Sequence, residues 1–221
     1  LLEHTVTKVL FNNQYACGIH VASPVKTFLS DLVILADGAN SLLAEKEGLI
    51  NTLSAKNLSL YVKETIALPA SVIEERFGLS DTQGAIIGLI GYPTAGFNGT
   101  ASIHTFKDSL NLNVGMSVSD YAQSRITPAE LLCHTKKHPF IATLIDGGVS
   151  TEYGSAMIPE GGYYAIPKMV HPGLLIIGDA AGLVNGTYGI NLAMWSGYFA
   201  AQAAIQSKQK RDFSKKQLSL Y

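Results

Sequence analysis

Runs of apolar residues in the first 36 positions predict strands. Val6 to Phe11 and Cys17 to Ala22 are two short apolar runs, and the polar pair Asn12-Asn13 between them predicts a turn. A third strand is predicted from Pro24 to Ala36. Its last part, Leu32 to Leu35, is continuously apolar, which is typical of a strand buried on both faces of a parallel sheet.

A short helix is predicted directly after this strand. The chain turns through Asp37-Gly38, and Asn40 or Ser41 can cap a helix over Leu42 to Glu47. Gly48 is placed to end that helix.

The middle of the chain has a different pattern, in which short strands recur between glycines and prolines. One helix, Ala70 to Phe77, interrupts them, and a second begins at Pro128 and runs to about Lys137. An antiparallel sheet with a few helices is therefore expected, and the predicted strands are Leu58–Ile66, Ala85–Ile90, Ser102–Phe106 and Leu110–Val118.

The last third returns to the pattern of the start. Short strands are predicted at Tyr163 to Pro167 and at Gly173 to Ile177, and a buried helix at Gly189 to Ser207. The whole is an α/β (α+β) fold, with a parallel-sheet portion and a β-meander over residues 1–57 and 128–221 and an antiparallel-sheet lobe over residues 58–127. On the last helix, aromatic residues are expected in the core rather than along an electron path, namely Trp195, Tyr198 and Phe199.

Composition excludes several classes of function. The 16 basic and 17 acidic residues give a net charge of -1 without a basic stripe, so nucleic acid is not an expected partner. Cys17 and Cys133 have no metal-ligand spacing, so no metal site is expected and a reducing cytoplasm is the default location. The apolar stretch from Ile190 to Ile205 is interrupted by polar residues, so no membrane span is predicted.

Two segments share one design that suits a ligand site. Ile34 to Ala39 and Ile176 to Ala181 each give apolar residues, a small residue, Asp, a small residue and Ala, and each leads towards a helix. In an open parallel sheet, ligands bind outside the carboxyl ends of the strands. Small residues let a ligand approach the backbone, free amides at a helix start favour an anion, and a carboxylate such as Asp179 accepts hydrogen bonds from sugar-type hydroxyls.

A simpler interpretation remains open for both aspartates, since an Asp at a Gly-rich turn often only caps a helix. A dinucleotide site usually also has a glycine-rich GxGxxG turn after a strand, and this motif is absent from the sequence. Tyr163 and Tyr164, next to Gly161-Gly162, are candidates for lining a substrate or quinone cavity.

Two segments resemble known flavoproteins. Ala36–Ser41 (ADGANS) resembles the corresponding segment of aromatic hydroxylases and geranylgeranyl reductases. Ile158–Gly197 (IPEGGYYAIPKMVHPGLLIIGDAAGLVNGTYGINLAMWSG) resembles the FixC group, relatives of electron-transfer-flavoprotein:quinone oxidoreductases. The resemblance covers nearly the whole chain. It implies that the chain corresponds to the part of a family member that follows the N-terminal Rossmann unit.

The resemblance implies FAD as the cofactor and a set of residues that hold it. Asp179 would contact the ribityl chain, Gly182 would lie beside the pyrophosphate, and Asp37 would support the nucleotide side. The other implied contacts, at the turns and near the flavin ring, are Gly38, Gly178, Ala180, Ala181, Asn185, Gly189 and Asn191.

The resemblance also implies electron transfer from a flavoprotein donor to a quinone or ferredoxin-type acceptor. Electron-transfer flavoprotein or a ferredoxin-type protein would be the partner, in the cytoplasm and with peripheral contact at the inner membrane face. Two alternatives stay open, a geranylgeranyl-type prenyl-lipid reductase and a non-catalytic fragment that has lost FAD binding.

Overall fold

The chain folds as two units, each with its own hydrophobic core. The computed structural model describes residues 3–184 and 189–221. The first unit comprises Leu1–Asn57 and Pro159–Tyr221, and the second comprises Leu58–Ile158. Residues 128–158, which the sequence predicted with the first portion, lie in the second unit because Leu131 and Ile141 are buried in that unit's core.

The first part of the chain carries five strands and two helices. These are β1 (Val6–Asn12), β2 (Tyr15–Ala22), β3 (Val25–Leu29), β4 (Val33–Leu35), α1 (Leu42–Lys46), β5 (Leu58–Ala67) and α2 (Ala70–Phe77), of which β5 and α2 already belong to the second unit. The second unit continues with β6 (Ile86–Leu89), β7 (Gly99–Thr105), β8 (Ser109–Ser117), α3 (Val118–Ser124), α4 (Pro128–Lys136), α5 (Pro139–Ile145) and β9 (Val149–Pro159). The chain ends with β10 (Val170–His171), β11 (Leu174–Ile176), α6 (Gly189–Lys210) and α7 (Lys215–Leu218).

A three-stranded antiparallel meander opens the first unit, in the order β1-β2-β3. The predicted strands over β1 and β2 are confirmed, and so is the turn between them. The prediction of one continuous strand from Pro24 to Ala36 is wrong, because β3 and β4 belong to different sheets. The exposed residue Asp31 lies in the short polar connection where the chain leaves the meander.

A small sheet with a parallel pair forms the centre of the first unit, in the order β10-β11-β4. Strands β11 and β4 run parallel, with Leu174 opposite Val33 and Ile176 opposite Leu35. Leu174 and Ile176 face one core together with Val33, while Leu175 faces a second core with Ala200 and Leu218. The mixed α/β class predicted from the sequence is confirmed.

The long helix α6 packs through its small residues. Its buried positions are Ser196, Ala200, Ala203 and Ser207, one stripe at helical spacing. The expectation that the aromatic residues of this helix are core side chains is wrong for the described structure. Trp195, Tyr198 and Phe199 are about half exposed and contact one another, with ring centroids 5.5 to 5.8 Å apart.

The second unit is a five-stranded sheet covered on one face by helices. The strand order is β6-β7-β8-β5-β9, and β6, β7, β8 and β5 pair antiparallel, as predicted. Helices α2, α4 and α5 contribute Ile73, Leu131 and Ile141 to the shared core. On α4, Thr127 and Glu130 form a complete capping box, and Pro128 stands at the first turn as the sequence predicted.

One predicted strand of the first unit does not form. Tyr163 to Pro167 was predicted as a strand, but Tyr163–Ala165 is a 3-10 turn and the prediction is wrong.

In residues 3–184 and 189–221, no helix is both long and apolar enough to cross a bilayer.

The parallel pair supplies a direct test of the first unit's core. Ile176 is fully buried, whereas Ile34 on the neighbouring strand is 42% exposed. We expect Ile176→Ala to lower the free energy of unfolding by about 2 to 5 kcal/mol. The same change at Ile34 is expected to cost roughly 1 kcal/mol. Urea unfolding of both variants measures the difference, and equal losses would contradict the assigned packing.

Candidate functional site

The parallel pairing brings the two Asp-containing turns to the same edge of the sheet. The ladder continues one residue past β11, since the Ile177 amide donates to the Leu35 carbonyl at 3.0 Å. Both chains then leave the sheet, one into Asp37-Gly38 and the other into a 3-10 turn over Gly178–Ala181. The Ser41 hydroxyl joins the turns by donating to the Ala180 carbonyl at 3.3 Å.

Asp37 supports its own helix. Its Oδ2 accepts a hydrogen bond from the Leu43 amide at 3.1 Å, at the start of α1, and the residue is exposed. Ser41 occupies the N-cap position, as predicted, but its side chain makes no cap hydrogen bond. The carboxylate of Asp37 therefore does the capping, while the buried Ser41 hydroxyl ties α1 to the second turn.

Asp179 is different, because its carboxylate is partly buried without a partner. Among the described residues, this carboxylate makes no hydrogen bond and no ion pair. Burial raises the pKa of Asp179 above its ordinary value, since a charged carboxylate loses hydration there. A partly desolvated acceptor without a protein donor is available to hydroxyl groups of a ligand.

The segment after Asp179 opens onto a cavity of about 550 Å³ within the first unit. Gly182 lies on its wall with a left-handed φ of 65°, and no atom of the described residues lies within 4 Å of the position that a Cβ would take there. Of the two tyrosines predicted to line a substrate or quinone cavity, Tyr163 contributes to this wall and is 81% exposed, while Tyr164 is 99% exposed. The remaining walls come from Glu160, Gly162, Ile166, Leu183, Val184 and Leu192.

The amides of this turn are not all free, which corrects part of the prediction. Gly178 donates its amide to the Ser196 hydroxyl at 2.9 Å, and Gly182 donates to the Asp179 carbonyl at 2.9 Å. The long helix does not follow the turn directly but begins at Gly189. The anion site expected at a helix start next to Gly178 is therefore not formed by the Gly178 amide.

The other predicted contacts occupy varied positions. Ala180 and Ala181 are buried in the core of the first unit, so their small size serves the packing beneath the turn. Gly38 has a φ of 76° and open space beside it. Gly189 begins α6, Asn191 is exposed on its first turn, and Asn185 lies outside the described residues.

Sequence reasoning missed two hydroxyl groups that organise this site. Ser41 was considered only as a cap, and Ser196 only as a polar interruption of an apolar stretch. A serine on the buried stripe of a helix is a usable signal, because a buried hydroxyl almost always has a hydrogen-bond partner. In the described parts of the chain, no group of three or more His, Cys, Asp or Glu side chains could hold a metal ion.

Comparison with known sequences gives FixC proteins among the relatives. The chain is 41% identical over 226 residues to the protein FixC of Azorhizobium caulinodans and 39% identical over 225 residues to that of Rhizobium meliloti. Each match covers 100% of this chain and 52% of the relative. The chain thus spans about half the length of these curated relatives, and no protein-family model matches it.

Solved structures share the fold. A geranylgeranyl bacteriochlorophyll reductase-like protein from Thermoplasma acidophilum superposes with a TM-score of 0.77 at 18% identity, over 98% of this chain and 51% of that one. The flavin-dependent brominase Bmp2 superposes with a TM-score of 0.70 at 18% identity, over 95% and 52%. Over its whole length, the chain is thus similar in sequence to about half of each of these FixC proteins.

Proposed function

We propose that the first unit holds the ribityl and pyrophosphate part of FAD at the turn after β11. The observation that carries this proposal is the partly buried Asp179 carboxylate, which has no partner among the described residues and lies on a turn that opens onto a cavity. The ribityl chain presents hydroxyl donors, which are the groups that such a carboxylate lacks. Bound FAD would supply hydride and single-electron chemistry.

The residues around the turn have separate tasks in this proposal. Asp179 accepts hydrogen bonds from the ribityl hydroxyls, and the open backbone at Gly182 lets the diphosphate approach closely. The other predicted contacts, Gly38, Gly189 and Asn191, would lie near the bound cofactor. Tyr163, Leu183 and Leu192 are walls of the cavity beside the proposed cofactor position.

The whole protein is proposed to pass electrons from a flavoprotein donor to a quinone or ferredoxin-type acceptor. Support comes from the FixC relatives, and from exposed apolar side chains in the second unit. Ile86 and Ile90 are 74% and 82% exposed. Exposed apolar side chains are suited to contact with an apolar ligand or a membrane surface.

A prenyl-lipid reductase is the second candidate, because the same exposed isoleucines suit a prenyl chain. The two candidates differ in the acceptor. Chemically reduced, FAD-loaded protein is mixed in turn with a short-chain quinone, a ferredoxin and a geranylgeranyl lipid, and the return of flavin absorbance is followed. We expect reoxidation by quinone or ferredoxin; reoxidation only by the lipid, with loss of a double bond, would support the second candidate.

Titration with FAD tests the cofactor site itself. We expect the chain to bind FAD and Asp179→Asn to weaken the affinity by about tenfold or more, because a hydrogen bond to a charged acceptor is replaced by a weaker one. Asp212→Asn is the matched control, since Asp212 is an exposed carboxylate of the same unit that bonds to the Ser214 amide. Equal affinity of Asp179→Asn and the unsubstituted chain would contradict the assignment.

The same two variants are expected to change stability with opposite signs. The pKa of Asp179 is raised by burial, so this group destabilises the fold as pH rises from about 4 through its folded pKa. Asp179→Asn removes that loss and should be more stable than the unsubstituted chain at pH 7, with the difference vanishing in acid.

The pKa of Asp212 is lowered, chiefly by the Ser214 amide. Its stabilisation is present above the unfolded pKa and is lost as pH falls through the folded one. Asp212→Asn should therefore be less stable at pH 7 and should approach the unsubstituted chain in acid. Urea midpoints between pH 3 and 7 measure both trends, and a destabilised Asp179→Asn at pH 7 would show that its carboxylate already has a partner.

A further inference from the structure

A buried serine of α6 holds the turn from which Asp179 projects. Ser196 is 4% exposed, and its hydroxyl accepts the Gly178 amide at 2.9 Å. The same hydroxyl donates to the Ala193 carbonyl at 2.7 Å, one turn earlier in its own helix. Its donor and one acceptor position are therefore both in use, which fixes its orientation.

The helix and the turn meet closely at this point. Gly178 has a left-handed φ of 61°, and a Cβ built on it would lie 3.6 Å from the Cβ of Ala193. A left-handed residue at the end of a strand sets the direction in which the chain continues. Because the Gly178 amide is bonded to Ser196, rotation of the peptide that precedes Gly178 would break a buried hydrogen bond.

A tyrosine completes the arrangement around this hydroxyl. Tyr221 donates its hydroxyl to the Ile176 carbonyl at 3.2 Å, and it lies within hydrogen-bonding reach of Ser196. Burial raises the pKa of Tyr221, so the phenol stays protonated and remains a donor. The backbone from Ile176 to Gly178 is thus held by two side-chain hydroxyls from the C-terminal part of the unit.

We infer that Ser196 is a positioning residue of the FAD site, which fixes Gly178 and thereby the direction of the Asp179 carboxylate. Asp179 is bonded directly to Gly178, so a change in the Gly178 peptide plane redirects its side chain. This inference rests on the proposed function, because Asp179 is the group that would contact the ribityl chain. A merely structural serine would affect the stability of the unit but not the environment of one carboxylate.

The test uses four variants of the whole chain. Ser196→Ala removes the hydroxyl, Ser196→Cys keeps most of the volume with a weak acceptor, and Ser196→Thr restores a hydroxyl. Ser207→Ala is the matched control, because Ser207 lies on the same buried stripe of α6 and its hydroxyl has no partner among the described residues. If Ser196→Ala does not fold, Ser196→Cys carries the comparison.

Three readouts separate positioning from bulk stability. Amide exchange at Gly178 and Asp179 is expected to rise about tenfold in Ser196→Ala and Ser196→Cys, while exchange in β11 stays unchanged. The Asp179 pKa, followed by carboxyl NMR, should move back towards its ordinary value in the same variants. FAD affinity should fall about five- to tenfold, recover with Ser196→Thr, and stay unchanged in Ser207→Ala.

The outcomes distinguish this inference from the proposed function. If the unsubstituted chain does not bind FAD, the cofactor site is contradicted for this chain, while amide exchange and the Asp179 pKa still decide the positioning. Unchanged exchange at Gly178 and an unchanged Asp179 pKa in both Ser196→Ala and Ser196→Cys would overturn the inference. Equal effects of Ser207→Ala and Ser196→Ala would also overturn it.

Discussion

The in-register parallel pairing of β4 with β11 is the constraint on which the site depends. Paired residues of these two strands, such as Leu35 and Ile176, are 141 positions apart, and nothing local brings them together. Because parallel strands end at the same edge, pairing places both Asp-containing turns side by side. The hydrogen bond from Ser41 to the Ala180 carbonyl then fixes the spacing between them.

Two turns with similar sequences have different physical roles in this arrangement. The carboxylate of Asp37 accepts a hydrogen bond from the Leu43 amide, which agrees with the helix-capping interpretation. The carboxylate of Asp179 has no such partner among the described residues, so its partial burial destabilises the fold. A ligand that donates hydrogen bonds to this carboxylate would offset that cost. The sequence pattern is the same in both places, but only Asp37 is followed closely enough by a helix for its carboxylate to cap it.

Much of the first unit could be predicted because its patterns are local. The hairpin of β1 and β2 follows from apolar runs around a polar turn, and β11 from the apolar run before Gly178. The break between β3 and β4 was missed because Leu32 continues the apolar pattern while the change of sheet is a tertiary event. The exposure of Trp195 could not be predicted either, because the helix buries its stripe of small residues instead of its aromatic side chains. The edge strand β9 was missed because its exposed residues lack the alternation that marks a half-buried strand.

FAD is proposed to bind where β4 and β11 end. Backbone amide shifts followed by NMR during addition of FAD test this position residue by residue. We expect the largest shifts from Gly178 to Leu183, with smaller ones at Gly38 to Ser41. Shifts confined to the second unit, or no shifts at saturating FAD, would contradict the proposal.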